Sequence, residues 1–155
     1  MLKIASLVSL FFLAVALGVS FSHLLQAGPK ATLSAEDFLM VQQVLISRYG
    51  IGVGLVESLA VLSLGVAAFL AREMRPRFLL TLAALGCVLA MIAIWAIWIN
   101  PINQTVNSWS ASTVPADWPT TRDLWHRLHA LRLLLAAVAL GVFTWGTLVA
   151  EGSAG

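Results

Sequence analysis

Charge is what this chain has least of. Only 10% of its 155 residues are Asp, Glu, Lys or Arg, against about 25% in an ordinary soluble domain. The formal net charge is +2, with no run of basic residues, which excludes nucleic acid as a partner despite a pI near 9.2. The single cysteine, Cys87, excludes an internal disulfide. It sits inside an apolar run and reads as a small packing residue. The glycines of "GIGVG" (Gly50–Gly54) follow no strand and lack G-x-G-x-x-G spacing, which excludes a phosphate loop. They read as a site of close helix packing. There is no internal repeat and no pair of broken helices, so a transporter built on inverted repeats is disfavoured.

What the chain does have is apolar length. The hydrophobic share is 60% and the mean hydropathy is +0.93. Four runs, residues 4–25, 50–71, 78–99 and 124–150, each approach or exceed the ~20 residues that carry a helix across a bilayer. They are continuous rather than alternating, and too long for barrel strands. The fold class is therefore an all-α membrane protein, a four-transmembrane-helix bundle forming one domain over residues 1–155. Lys3 and Ala14-Val15-Ala16 imitate a signal peptide, but the apolar core is long for one, and the run reads as a retained helix.

Two long connections lie on one face of the bundle, and the short turn Arg72–Arg77 lies on the other with both termini. Lys3, Arg72, Arg75 and Arg77 on the short-turn face compare with Lys30, Arg48, Arg122, Arg127 and Arg132 opposite, so the basic count alone does not orient the chain. The dense short basic loop favours both termini in the cytoplasm of a bacterial inner membrane. In the first connection, residues 35–48 predict an extra interfacial helix. Ser34 caps it, Leu33 staples onto Phe38, and Phe38, Val41, Val44 and Leu45 form its stripe. The second connection, residues 100–123, has Pro101, Pro115 and Pro119 and predicts a lid loop.

The unusual polar residues gather on the long-loop face. They are His23, Gln42, Gln43, Asn100, Asn103, and the cluster "LWHRLHALR" (Leu124–Arg132). Trp125, His129 and Arg132 fall at i, i+4 and i+7 on one helix face, and Arg127 points away. Arg132 lies ~12 Å into its helix at ~1.5 Å per residue. A charge at mid-bilayer costs on the order of 2.5–3.5 kcal/mol, so Arg132 needs a partner. Glu57, the one acid within a predicted span, sits ~10 Å deep. The two predict an intramembrane pair, with a protonated Glu57 bonded to His129 as the alternative. Trp95 and Trp98 read as an interfacial aromatic belt. His23, His126 and His129 are the possible metal ligands, although i, i+3 histidines alone make a weak site.

"SFSHLLQAGPKATLSAEDFLMVQQ" (Ser20–Gln43), "INPINQTVNSW" (Ile99–Trp109) and "WHRLHALR" (Trp125–Arg132) together resemble the anthrone oxygenase-like family of small four-helix membrane proteins, in its bacterial branch. Gln26 stands near the place where that branch carries an acid, so no acid–base role is carried over there. The resemblance implies oxygen chemistry on a lipophilic aromatic or quinone-like molecule. It implies His129 as the base, with Arg132 and Asn103 stabilising an oxyanion and peroxide, and Glu57 beside them. Trp109, Trp118 and Trp125 would sandwich a flat substrate, with Asn100 and Gln42 at its edge. A carbanion spread over several rings can pass an electron to O2 directly, so the chemistry calls for no cofactor. Two other readings stand beside this one. The first is a haem- or metal-binding redox protein. The second is a non-catalytic subunit of a larger membrane complex, or a homo-oligomeric binder of a lipophilic molecule.

Overall fold

In the computed structural model, residues 1–152 are described, apart from the side chains of residues 45–48 and 150–152. They form five α-helices and one π-helical turn, with no strand among them. These are α1 (Leu2–Ala31), α2 (Ala35–Leu70), α3 (Arg75–Ile94), the π turn (Trp95–Ile99), α4 (Asn100–Ser108) and α5 (Trp118–Gly152). Four helices are long and apolar enough to cross a membrane: Leu2–Ala31, Tyr49–Leu70, Arg75–Ser108 and Trp118–Val149. The chain is an integral membrane protein built as an all-α bundle.

Helices α1 and α2, α2 and α3, α3 and α5, and α5 and α1 are the packed neighbours. The spans thus close a ring in which α2 and α5 face each other across the centre. Helices α1 and α5 present their buried residues at alternating spacings of three and four over most of their length. On α5 these are Trp125, His129, Arg132, Ala136, Ala139, Phe143 and Gly146, and on α1 Ser6, Ser9, Leu13, Ala16, Ser20 and His23. That spacing keeps one narrow seam facing the bundle axis. The middle of the seam is apolar, with Leu13, Ala60, Leu64, Ala84, Val88, Ala139 and Phe143 packed together. The short-turn end is held by Arg77, whose Nη2 donates to Ser6 Oγ at 2.7 Å in a buried contact.

Three boundaries differ from the sequence expectation. The interfacial segment 35–48 is helical, and Ser34 Oγ caps it by accepting from Asp37 N at 3.2 Å, with Leu33 packed near Phe38. It runs into the second span without a break. Gly50, Gly52 and Gly54 do not interrupt it, because in hydrocarbon an unpaired backbone group is costlier than a helical glycine. Its buried residues are Phe38, Leu39 and Gln42, while Val44 is exposed; the side chains of Leu45 and Arg48 lie outside the described residues.

The first helix also outlasts its apolar run, continuing through Pro29 to Ala31. Its last turn carries Lys30, which is buried and donates from Nζ to Gln42 Oε1 at 2.9 Å. The lid loop is the largest correction. Residues 100–108 are helical, and α5 begins at Trp118, leaving only 109–117 as a loop. Pro101 stands in the first turn of α4, just after the π turn. It lies inside a helix continuous from Arg75 to Ser108. The π turn before it, where Asn100 N bonds Trp95 O, gives the room that a proline in a helix interior needs. Pro119 opens α5, where a missing N–H costs nothing.

Gly146 sits where α5 passes close to α3. A Cβ placed there would lie 3.1 Å from Leu80 Cβ and 3.4 Å from Leu80 Cδ1, whereas one at Gly18 meets nothing within 4 Å. Gly146→Leu should therefore destabilise the bundle by about 1–3 kcal/mol through overpacking, and Gly18→Leu should not. Thermal unfolding of the detergent-solubilised variants measures this; equal midpoints for the two would refute the close α3–α5 contact.

Candidate functional site

The cluster that opens α5 points inward. Trp125, His129 and Arg132 are 3%, 4% and 3% exposed, and Arg127 faces outward. Arg132 Nη2 donates to Glu57 Oε1 in a buried ion pair. The pair crosses the bundle between the two helices that are not packed side by side. Glu57 is thus the partner that the depth of Arg132 calls for, and His129 takes no bond from Glu57.

Above this pair sits a stack of rings. The centroids of His23 and His129 are 4.1 Å apart, and those of Trp125 and His129 are 4.0 Å apart. Tyr49 meets His23 edge-on at 5.6 Å. Trp125 Nε1 donates to Asn103 Oδ1 at 2.9 Å, which ties α5 to α4. The opposite face of this layer carries Lys30 Nζ, 5.0 Å from the Trp125 ring centroid. Lys30 has an amide oxygen rather than a carboxylate as its partner; the ion pairs among the described residues are Arg72–Glu73, Arg122–Asp123 and Arg132–Glu57.

Several buried nitrogens have no partner: both nitrogens of His129 and of His126, Nδ1 of His23 and Nε of Arg132. Such groups are rare in a finished interior and call for an explanation. A neutral imidazole has one donor and one acceptor nitrogen. His129 can therefore both take and give a proton, and Arg132 Nε–H can still donate. His23, Tyr49, Asn103, Trp125, His129 and Arg132 line one cleft, with Gly50, Val53, Trp95 and Ile99 completing it. Its volume is about 30 Å3, room for roughly one or two water-sized molecules.

The other expected residues separate from this cleft. Trp109 and Trp118 pack around Phe38, Leu39 and Val106 in a second apolar cluster, and Trp118 lies 4.9 Å from the Phe38 ring. They do not sandwich the cleft with Trp125. The lid they belong to is fastened to α2 by Gln43, whose Nε2 donates to the carbonyls of Val106 at 3.0 Å and Trp109 at 2.9 Å. Gln42 holds Lys30 instead of lining the cleft. Asn100 lines a neighbouring cavity. Among the described residues, no group of three or more His, Cys, Asp and Glu side chains is arranged to hold a metal ion.

Sequence reasoning missed Trp95, Tyr49 and Lys30. Trp95 lines the cleft instead of serving only as a belt residue. Lys30 had a signal, since it stands seven residues beyond His23 and so continues the buried face of α1. Trp95 had none, because the π turn that sets its direction leaves no mark in composition.

Removing one partner of the central pair should cost about 3–5 kcal/mol, while replacing both with apolar residues should cost far less. Glu57→Leu alone is thus expected to lower the unfolding midpoint strongly, and Glu57→Leu with Arg132→Met to recover most of it. A double-mutant cycle by thermal unfolding gives the coupling; additive losses would mean the two side chains do not interact.

A family model described as Anthrone oxygenase matches residues 47–142, more than half of the chain. Searches of curated proteins and of solved structures return no match.

Proposed function

The chain belongs to the anthrone oxygenase family, and on that premise we propose that it is a membrane-embedded oxidoreductase that oxidises a lipophilic, phenolic ring system with O2. The observation that carries the reading is His129, buried with both nitrogens unpartnered, in a cleft that Arg132 and Asn103 also line. His129 removes a proton from the activated CH2 between two rings, and the electron pair passes into the adjoining carbonyl oxygen. The resulting enolate gives one electron to O2, and the radical and superoxide combine as a carbon-bound peroxide anion, which takes the proton back from His129 to become the hydroperoxide. His129, neutral again, removes the remaining C–H proton as the O–O bond breaks and the second carbonyl forms. The departing hydroxide takes a proton from His129 and leaves as water. One O2 is consumed and one water released per turnover.

Arg132 supports this sequence by donating to oxygen where negative charge develops, the kind of placed donor that dominates such catalysis. Glu57 fixes its position through the shared ion pair. A cleft of about 30 Å3 suits O2 or peroxide. The proposal includes a bacterial inner membrane with both termini cytoplasmic, supported by Arg72, Arg75 and Arg77 at the tight turn. The site then lies in the outer half of the bundle.

Oxygen uptake by the purified protein in nanodiscs, with an anthrone as substrate, tests the reading. His129→Ala is expected to lower turnover by about 10²–10⁴-fold, the usual worth of a positioned general base. Full turnover by His129→Ala would sink the assignment. Stoichiometric haem or metal in the active preparation would transfer it to a cofactor-dependent redox protein. Absence of turnover together with stable co-purifying subunits would favour the accessory role.

A further inference from the structure

The cleft at His129 is too small for the substrate proposed for it. At about 30 Å3 it falls far below the ~300–1,000 Å3 of small-molecule sites. Two larger cavities adjoin it. One, of about 180 Å3, is lined by Val53, Gly54, Glu57, Ser58 and Ile92, and the other, of about 360 Å3, by Ile51, Asn100, Asn103, Gln104 and Asn107. Gly50 and Trp95 line all three. The three spaces therefore meet at one point, where α2 passes the π turn.

The glycines explain why space exists there. A Cβ at Gly50, Gly52 or Gly54 would meet nothing within 4 Å. "GIGVG" does not serve close helix packing, as its sequence suggests; it leaves the wall of the bundle thin. On the same two elements Ile51, Leu55, Ile97 and Trp98 are 79%, 61%, 58% and 50% exposed. In a membrane-spanning segment such side chains face lipid, so the gap between them opens sideways into the bilayer. At its inner end stands His129, more than nine-tenths buried with neither nitrogen partnered, and beside it the Glu57–Arg132 pair.

We propose that the groove between α2 and the π turn is the binding site for the ring system of the substrate, entered laterally from the bilayer. The inference rests on the oxidoreductase reading for the identity of the occupant. Its chemistry is that of a flat aromatic molecule carrying oxygen at its edge. The rings lie along Val53, Ile92 and Trp95, and the hydroxyl or carbonyl oxygens meet the carboxamides of Asn100, Asn103, Gln104 and Asn107. Only the reacting edge enters the cleft, so the small volume beside His129 admits O2 and excludes bulk water. A ligand partitioned in lipid reaches this groove without crossing the polar lid.

Two substitutions fill the groove without disturbing packing. Gly50→Phe blocks the junction of the three cavities, and Gly54→Phe blocks the middle one. Gly86→Phe places the same bulk where a Cβ also meets nothing, away from the groove. Binding of a dihydroxyanthraquinone in nanodiscs, read by quenching of tryptophan fluorescence, reports the groove independently of turnover. Gly50→Phe and Gly54→Phe should weaken binding roughly ten-fold or more, as expected where a bulky side chain overfills a packed site, and Gly86→Phe should match the wild type. Wild-type affinity in both groove variants would overturn the proposal, and is the result expected if a lipid acyl chain occupies the groove instead. Wild-type binding that the groove variants abolish, without any oxygen uptake with an anthrone, would uphold the groove and overturn the oxidoreductase reading. No binding by the wild type would overturn the groove.

Discussion

The bundle turns on one buried ion pair. Glu57 and Arg132 come from helices that face each other across the ring and share little side-by-side packing. Neither charge could stay in hydrocarbon alone, so each fixes the rotation of the helix that carries the other. Once α5 is rotated to bring Arg132 inward, His129 and Trp125 at three and seven residues earlier must follow. Once α2 is rotated to bring Glu57 inward, Gly50 and Gly54, seven and three residues earlier, fall on the flank facing the π turn. The cleft and its side opening are thus consequences of one electrostatic requirement. An apolar pair could hold the helices as firmly, but it would not fix their rotation as narrowly.

Much of this was legible in the sequence because membranes make charge conspicuous. Four apolar runs mark the spans, and the depths of Glu57 and Arg132 along their helices pair the two side chains from sequence alone. The i, i+4, i+7 spacing of Trp125, His129 and Arg132 gave the inward face. What stayed hidden were the helix boundaries. Pro101 reads as a break in any long helix by the rules for soluble proteins, and the limits of the apolar runs at residues 25 and 50 read as the limits of helices. In lipid the cost of unpaired backbone groups overrides such signals, and the helices run on. Tryptophan roles were hidden for a related reason. Trp95 and Trp109 differ in what they touch because the π turn and the fold of the lid set their directions, and neither follows from local propensity.

Polarity is graded along the bundle. The short-turn end has a single buried guanidinium, Arg77, satisfied by Ser6. The middle is apolar. The long-loop end concentrates three imidazoles, one ammonium and one ion pair, and leaves several of their nitrogens without partners. A protein selected only for stability gains nothing from that arrangement, since buried polar groups left unmatched are a net cost. The lid above them is fastened by Gln43 and by the Phe38–Trp118 contact, so water is kept from this end by packing around a second small core.

The π turn at Trp95–Ile99 gives the third span a property that ordinary helices lack. It accommodates one residue more than an α-helical path of the same length would, so everything after it is out of phase with everything before by about 100°. Asn103 meets Trp125 only because of that offset. The polar mouth of the bundle and its apolar shaft therefore obey two separate phase relations within one helix. The turn absorbs the extra residue, so the loss of a single residue within it would let the helix close as a regular α-helix with the amide-bearing segment still toward the imidazoles, whereas the same deletion in the shaft would turn that segment by about 100°.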